Sequence, residues 1–263
     1  MSYEFISVTT TGRVTRITLD RPEVMNAINK PMHAEMQAAL DDFAADPDQY
    51  ICVITGRGDR AFCAGSDLKA IAESDGLKRH VYPKNGYAGL IERYDLDKPV
   101  IAAVNGVALG GGFEIALACD IIIATDNARF GLPEPLVGAV AIGGGMHRLA
   151  RQIGLKQAMG MILSAESVDA RKGKDLGFVN EVVATEELED AIERWCMSIL
   201  RSAPLAIRAS KETVMRGLDE ASLEAAMVGQ AGYPAFSTWR NAEDTLEGPK
   251  AFAEKRKPDW KGK

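Results

Sequence analysis

The sequence is poor in the residues that build metal centres and disulfide frameworks. It has four cysteines and three histidines in 263 residues. The cysteines form no CxxC pair, and the histidines form neither an HExxH motif nor a local cluster. Zinc sites and zinc hydrolases depend on such spacings, so the sequence does not support a metal site. We expect free, buried thiols at Cys52, Cys63, Cys119 and Cys196.

Long apolar runs and a positive net charge are also missing. No stretch approaches the length of about 20 apolar residues that a membrane-spanning helix needs. Residues 1–5 lack the basic start and apolar run of a signal peptide. The net charge of -6 argues against a general nucleic-acid surface, which needs clustered Lys and Arg. We therefore expect a cytoplasmic protein with no membrane contact and no nucleic-acid partner.

The pattern of apolar residues predicts an α/β fold followed by helices. The runs 5–8 and 14–19, separated by a turn, predict a β-hairpin, and a helix is predicted from Asn29 to Pro47. Residues 205–256 show helical periodicity without strand signals. Buried strands are predicted at 51–55, 99–104, 121–125 and 178–183. Because a helix separates the second and third of these, the order has the βαβ rhythm of a parallel sheet.

That helix begins at three consecutive glycines, Gly110 to Gly112, and carries Glu114 in its first turn. A helix N-terminus presents unpaired N–H groups and a positive dipole end, and glycine lets a ligand approach the backbone. The arrangement suits a developing oxyanion with a carboxylate beside it. Taken alone, the same residues are also explained by close glycine packing and an ordinary first-turn Glu.

Two other motifs are compatible with the same chemistry. The loop 61–69 (AFCAGSDLK) contains Gly65, which permits a tight turn, and then Ser66, whose N–H would be a second donor for an oxyanion. Glu134 is held between two prolines, which favours an extended backbone at Glu134 and a fixed carboxylate direction. Each has a structural explanation too, as a plain strand-to-helix turn and a stiff surface turn.

Together these motifs resemble the crotonase superfamily, the enoyl-CoA hydratase and isomerase family. The resemblance covers nearly the whole chain and implies an α/β spiral of ββα units, similar to ClpP, with a helical C-terminal subdomain. It divides the chain into a core at 1–200 and a trimerisation subdomain at 201–263. It rests on LDRP at 19–22 with Asn26-Ala27, on AFCAGSDLK at 61–69, on KPVIAAVNGVALGGGFEIALACDI at 98–121 and on ARFGLPEPLVG at 128–138.

The resemblance implies a site and a reaction. The N–H groups of Ser66 and Gly111 would form the oxyanion hole, and Glu114 and Glu134 would be the two catalytic glutamates. The implied reaction is reversible addition of water to a 2-enoyl-CoA in fatty acid metabolism, with coenzyme A as part of the substrate and no further cofactor or metal. Contacts with the CoA ester are implied for Ala27, Ala64, Asp67, Leu68, Lys69 and Lys255, the last often from a neighbouring subunit of a homotrimer or a dimer of trimers.

Within the superfamily, residues 86–90 (GYAGL) and 243–256 are similar to the carnitinyl-CoA dehydratase branch. Ser66 departs from that branch, which has an aromatic residue there, and Ala141-Ile142 replaces the Pro-Gly of many hydratases.

The alternatives are a Δ3,Δ2-enoyl-CoA isomerase, a noncatalytic RNA-binding relative and a serine hydrolase that uses Ser66. Two glutamates favour the hydratase, because an isomerase usually needs one. The acidic charge and the glutamate pair disfavour the RNA-binding relative, and the serine hydrolase lacks a GxSxG elbow.

Overall fold

In residues 3–73 and 82–263, which the computed structural model describes, strands and helices are interspersed as far as residue 183, and helices follow. The strands are β1 Ile6–Thr11, β2 Val14–Leu19, β3 Ile51–Gly56, β4 Ala61–Cys63, β5 Val100–Val104, β6 Val107–Leu109, β7 Ile121–Thr125, β8 Arg129–Gly131, β9 Val168–Asp169 and β10 Glu181–Val183. The helices are α1 Lys30–Ala45, α2 Leu68–Ala72, α3 Gly111–Ala118, α4 Gly145–Ile153, α5 Leu155–Ser164, α6 Ala170–Leu176, α7 Leu188–Leu200, α8 Pro204–Gly217, α9 Leu223–Gly229, α10 Pro234–Arg240 and α11 Asp244–Ala253.

The larger sheet has the order β1-β2-β3-β5-β7-β10. Its first two strands form the predicted antiparallel hairpin, and all later pairs are parallel. Strands β5 and β7 pair in parallel on either side of α3 in the sequence, which confirms the predicted βαβ unit. The strand predicted at 178–183 is shorter than expected, because only residues 181–183 join the sheet.

A smaller sheet, β4-β6-β8-β9, is absent from the sequence predictions. Its strands have only two or three residues, too few for an apolar period to show. Strands β3, β5 and β7 of the larger sheet each continue through a short bend into β4, β6 and β8 of the smaller one, and α2, α3 and α4 follow in turn. The chain therefore repeats ββα units, as the resemblance implies.

Asn105 stabilises the bend between β5 and β6. It is buried, its Nδ2 donates to the carbonyl oxygens of Gly56 and Gly58 at 2.9 and 2.6 Å, and its Oδ1 accepts from the Gly56 N–H at 3.1 Å. Gly106 follows, where a Cβ would lie 2.5 Å from the Arg60 carbonyl carbon and oxygen. The predicted break at Asn105-Gly106 is thus a corner at which neighbouring ββα units are hydrogen-bonded together.

The central strands are buried on both faces. Alternate residues of β3 show this, because Cys52 and Ile54 pack in one apolar cluster while Ile51 and Val53 pack in another. The first cluster includes the inner face of α1, and the second includes α7. Helix α1 is capped by Asn29, whose Oδ1 accepts from the Met32 N–H at 3.0 Å, as predicted.

All four cysteines are buried free thiols, which confirms that expectation. No helix within the described ranges is long and apolar enough to cross a membrane. The sequence of residues 70–98 shows no interpretable pattern, and part of that segment, residues 74–81, lies outside the described ranges.

The C-terminal residues fold back onto the start of α11. The carboxylate of Asp244, which is 4% exposed, accepts the N–H groups of Lys261 and Gly262, both at 2.8 Å. In return the Lys263 carbonyl accepts the Glu243 N–H at 2.8 Å. The buried carboxylate of Asp244 therefore holds the C-terminal segment of the chain in place.

We expect Asp244→Ala to release residues 258–263 and to lower the unfolding free energy by about 1–3 kcal/mol, because two backbone donors lose a charged acceptor. Amide hydrogen exchange would show faster exchange at residues 261 and 262, and thermal unfolding would give the loss of stability. Asp259→Ala is the matched control, since Asp259 is exposed. Unchanged exchange in Asp244→Ala would contradict this anchoring role.

Candidate active site

The N-terminus of α3 lies against the loop that contains Ser66. Gly110 caps the helix with φ +52°, and Gly111 is its first residue, so the Gly111 N–H has no acceptor within the helix. A Cβ on Gly112 would lie 2.0 Å from the Cys63 carbonyl oxygen. Glycine is needed there because any side chain would push the loop away from the helix.

The loop side of this contact also requires glycine. Gly65 has φ +94°, and a Cβ built on it would lie 3.2 Å from the Gly111 nitrogen. Ser66 is held between two backbone hydrogen bonds with Ile28, from the Ile28 N–H to the Gly65 carbonyl at 2.8 Å and from the Asp67 N–H to the Ile28 carbonyl at 3.0 Å. The structure therefore brings the segments of Ser66 and Gly111 together.

Glu114 lies one turn into α3 and is only 3% exposed. Its Oε1 accepts the Gly145 N–H at 2.9 Å, and the Gly143 N–H also hydrogen-bonds the carboxylate. Burial, together with the nearby charge of Glu134, raises the pKa of Glu114 to about 7, although the two N–H donors oppose the shift. A carboxyl group with this pKa can exchange a proton near neutral pH.

Glu134 reaches the same helix end from β8. The sequence predicted an extended backbone here, which is wrong: Glu134 begins a 3-10 turn, Glu134–Val137, and the Pro133 carbonyl accepts the Leu136 N–H at 3.0 Å. Its Oε1 lies 3.0 Å from the position of a Cβ on Gly110, so a side chain at Gly110 would crowd the carboxylate.

The Glu134 carboxylate is poorly paired. Its Oε2 is buried and has no hydrogen-bond partner among residues 3–73 and 82–263, and burial raises its pKa. An unpaired buried carboxyl oxygen is costly and is typical of a group whose partner is a ligand. The two glutamates therefore flank the start of α3 in different states, Glu114 held by backbone donors and Glu134 free to act on a bound molecule.

Sequence reasoning missed the donors to Glu114. Gly143, Gly144 and Gly145 span the start of α4 as the first glycine triplet spans the start of α3, and this repetition could have indicated a second helix N-terminus. A Cβ on Gly143 would lie 2.3 Å from Glu114 Oε2, so glycine is required for the backbone to contact the carboxylate. Ala141 is buried and Ile142 is 69% exposed beside this contact.

Most of the predicted CoA-contact residues share one surface. Ala64, Leu68 and Lys69 lie on the Ser66 loop or the helix after it. Arg21 connects the remaining two, Ala27 and Asp67, because it donates to the Ala27 carbonyl at 2.7 Å and to Asp67 Oδ2 at 3.0 Å. Asp67 is thus an ion-pair partner and the cap of α2. Lys255 follows α11, and among the described residues no hydrogen bond or ion pair joins it to this surface.

The raised pKa of Glu114 predicts a pH dependence of stability. A carboxyl whose pKa rises from 4.5 to about 7 on folding binds its proton more tightly in the folded state, so stability falls as pH rises through that interval, by about 3 kcal/mol. We expect Glu114→Gln to flatten the decline of the melting temperature between pH 5 and 8. The exposed Glu186→Gln should keep the wild-type slope. Parallel slopes for wild type and Glu114→Gln would contradict the assignment.

Comparisons with known proteins agree with this geometry. The family model described as enoyl-CoA hydratase/isomerase matches residues 9–263. Carnitinyl-CoA dehydratase of Proteus mirabilis is 42% identical over 260 residues, 98% of each chain, and that of Citrobacter koseri is 42% identical over 262 residues, 99% of each.

Solved structures give the same result. An enoyl-CoA hydratase from Bacillus anthracis superimposes with a TM-score of 0.91 at 33% identity, over 99% of this chain and 100% of that one. An enoyl-CoA hydratase structure from Geobacillus kaustophilus gives 0.89 at 38% identity over 99% of both chains. The site pairs two carboxyl groups at a glycine-rich helix start, and the chain matches these proteins over nearly its full length. The chain therefore belongs to the enoyl-CoA hydratase/isomerase family, and its fold is that of the crotonases.

Proposed function

We propose that this protein is an enoyl-CoA hydratase-type hydro-lyase, which adds water reversibly to a 2-enoyl-CoA thioester. The observation that carries the proposal is the meeting of two carboxyl groups, the buried Glu114 and the half-buried Glu134, at the N-terminus of α3. The similarity to proteins named enoyl-CoA hydratase and carnitinyl-CoA dehydratase supports the same reaction class.

The thioester oxygen would bind between the N–H groups of Ser66 and Gly111. Addition of water to the double bond places negative charge on this oxygen, as an enolate, and two fixed N–H donors stabilise that charge more than they stabilise the substrate. Loss of one such donor typically costs about 100- to 1,000-fold in rate. The close packing of Gly65 on Gly111 supports this role, because it sets the two donor segments side by side.

The two carboxyl groups would divide the proton transfers. Glu114, as carboxylate, accepts a proton from water while the water oxygen bonds to C3, and Glu134, as carboxylic acid, gives a proton to C2. The dehydration runs through the same steps in reverse, and exchange with solvent restores the starting protonation states. The raised pKa of Glu114, about 7, suits a group that takes up and releases a proton near neutral pH, and burial raises the pKa of Glu134, which favours its protonated form. No further cofactor takes part in these steps.

A Δ3,Δ2-enoyl-CoA isomerase would use one carboxyl group to move a proton between carbons. The two glycine N–H donors fixed on Glu114 favour the hydratase, because they orient a second carboxylate that the isomerase does not need. For the acyl group, the 42% identity to carnitinyl-CoA dehydratases favours a carnitinyl-type 3-hydroxyacyl-CoA as a substrate in the dehydration direction. Relative kcat/KM across short, long, branched and carnitinyl thioesters would test this preference.

The CoA moiety would lie over the surface formed by Ala27, Ala64, Asp67, Leu68 and Lys69. Lys69 is exposed and can approach a phosphate, and Lys255 would come from a neighbouring subunit, because no hydrogen bond or ion pair in the described part of its own chain joins it to the loop. This supports an assembly of three chains, or of two such trimers, with residues 201–263 as the trimerisation subdomain.

Exposed apolar side chains on α8, α9 and α11 support this assembly. They are 54–88% exposed, and large exposed apolar side chains in such number are typical of protein interfaces. The members are Val214, Met215, Leu223, Met227, Val228, Leu246 and Phe252.

We expect Glu134→Gln to lower crotonyl-CoA hydration by roughly 100-fold or more, the size of a general acid contribution, while the affinity for a CoA ester changes little. Loss of the conjugated enone absorbance measures turnover, and calorimetry with a non-hydratable acyl-CoA measures binding. Glu186→Gln is the matched control on an exposed turn. Near-normal turnover in Glu134→Gln would overturn the mechanism.

Light scattering coupled to size exclusion should give three or six chains per particle. The double substitution Leu223→Asp with Val228→Asp should reduce that number, because two buried charges would face the interface, whereas Leu223→Met with Val228→Met should retain it. A monomeric wild type would contradict the proposed assembly.

A further inference from the structure

A strained segment, 86–89, lies beside the candidate site. Gly86, Ala88 and Gly89 have φ values of +74°, +52° and +60°. Glycine adopts this region readily, but a left-handed Ala is strained because its Cβ crowds the backbone. Tyr87 stands in the middle of this run and is 3% exposed. Strain of this kind persists only where neighbouring contacts hold it, and it concentrates at functional sites.

Helix α1 supplies these contacts. The Ala88 N–H donates to His33 Nδ1 at 2.9 Å, and one turn later Gln37 binds Asn85 twice, accepting from its N–H at 3.0 Å and donating to its Oδ1 at 2.8 Å. A Cβ on Gly89 would lie 2.5 Å from the Gln37 Cα, so this backbone sits directly on the helix. The segment is thereby fixed on a rigid element, and so is the direction of Tyr87.

The tip of the Tyr87 side chain contacts both residues of the proposed oxyanion hole. Ser66 Oγ donates a hydrogen bond to Tyr87 Oη at 3.2 Å. A Cβ on Gly111 would lie 2.4 Å from the same Oη and 2.3 Å from the ring carbon that bears it, so the phenol covers the Cα of Gly111. Burial raises the pKa of Tyr87, and the hydroxyl therefore stays neutral at physiological pH. The phenol thus lies between the loop that carries one donor and the helix that carries the other.

We propose that Tyr87 is a positioning residue, which sets the spacing of the Ser66 and Gly111 N–H donors through its contacts with both. The inference rests on the proposed function, because it concerns the same oxyanion hole. Its physical basis is that stabilisation by two donors depends on their aim at the enolate oxygen, and small displacements of a positioned group lower the rate strongly. The strain at Ala88 has its explanation here, since it turns the phenol onto Gly111.

Tyr87→Phe tests the proposal, because it keeps the ring and removes only the hydroxyl. We expect kcat for crotonyl-CoA hydration to fall roughly ten- to a hundredfold, with KM changed by less than about threefold. Cinnamoyl-CoA provides a second readout. Its absorbance moves to longer wavelength when donors polarise the thioester carbonyl, and this red shift should decrease in Tyr87→Phe at saturating protein. A variant that is merely less stable would show neither a fall in kcat at unchanged KM nor a smaller red shift of the bound cinnamoyl-CoA.

Ser66→Ala provides an independent test, because it removes the same hydrogen bond and leaves Tyr87 and its loop intact. We expect a loss in kcat and in red shift of similar size, and no further loss in the double variant. Tyr50→Phe, which removes a hydroxyl beside the C-terminal residues, is the matched control and should match wild type.

A normal kcat and a normal red shift in Tyr87→Phe would overturn the proposal, as would additive losses in the double variant. If Tyr87→Phe does not fold, a wild-type red shift in Ser66→Ala overturns it equally. Failure of the hydratase assignment would appear differently, as a wild-type protein that binds cinnamoyl-CoA with a red shift but hydrates no enoyl-CoA.

Discussion

The backbone of residues 63–65 lies so close to the start of α3 that neither Gly65 nor Gly112 has room for a side chain of its own. A Cβ built on Gly65, Gly111 or Gly112 would lie 2.0 to 3.2 Å from an atom of the facing backbone segment or of the Tyr87 side chain. This contact depends on the ββα units, because β4 and β6 are neighbours in the smaller sheet and the loop and helix follow them directly. The site is therefore a consequence of the corner at which the chain passes from one sheet to the other.

The glutamates at this contact illustrate the balance between stability and chemistry. An ionised Glu114 in a buried position costs stability, and two glycine N–H donors offset only part of that cost. Glu134 leaves one oxygen unpaired. A domain selected only for stability would replace both with apolar residues, whereas an enzyme that moves protons at neutral pH needs carboxyl groups with raised pKa values.

The candidate site could be predicted from the sequence as a set of residues but not as a geometry. Gly111, Ser66 and the two glutamates were identified from a glycine triplet, a tight loop and a resemblance, and the structure brings their segments together. The backbone at Glu134 was predicted wrongly, because the preference imposed by Pro135 is local and was overridden by the turn that Leu136 and Gly138 close. From the sequence, Tyr87 was identified only as part of the GYAGL motif and not as a site residue, because nothing in the sequence spacing relates position 87 to position 111.

By itself the sequence determined the local structure and the chemical inventory: the hairpin, the Asn29 cap, the buried strands, the helical end and the pair of glutamates. These follow from side-chain periodicity and backbone preferences, which act over a few residues. Only the tertiary structure decided the smaller sheet, the donors to Glu114, the unpaired oxygen of Glu134 and the contact of Tyr87 with the Ser66 loop and the start of α3. These depend on which segments the parallel ladders place side by side, and burial and pKa are properties of that arrangement rather than of any single stretch of chain.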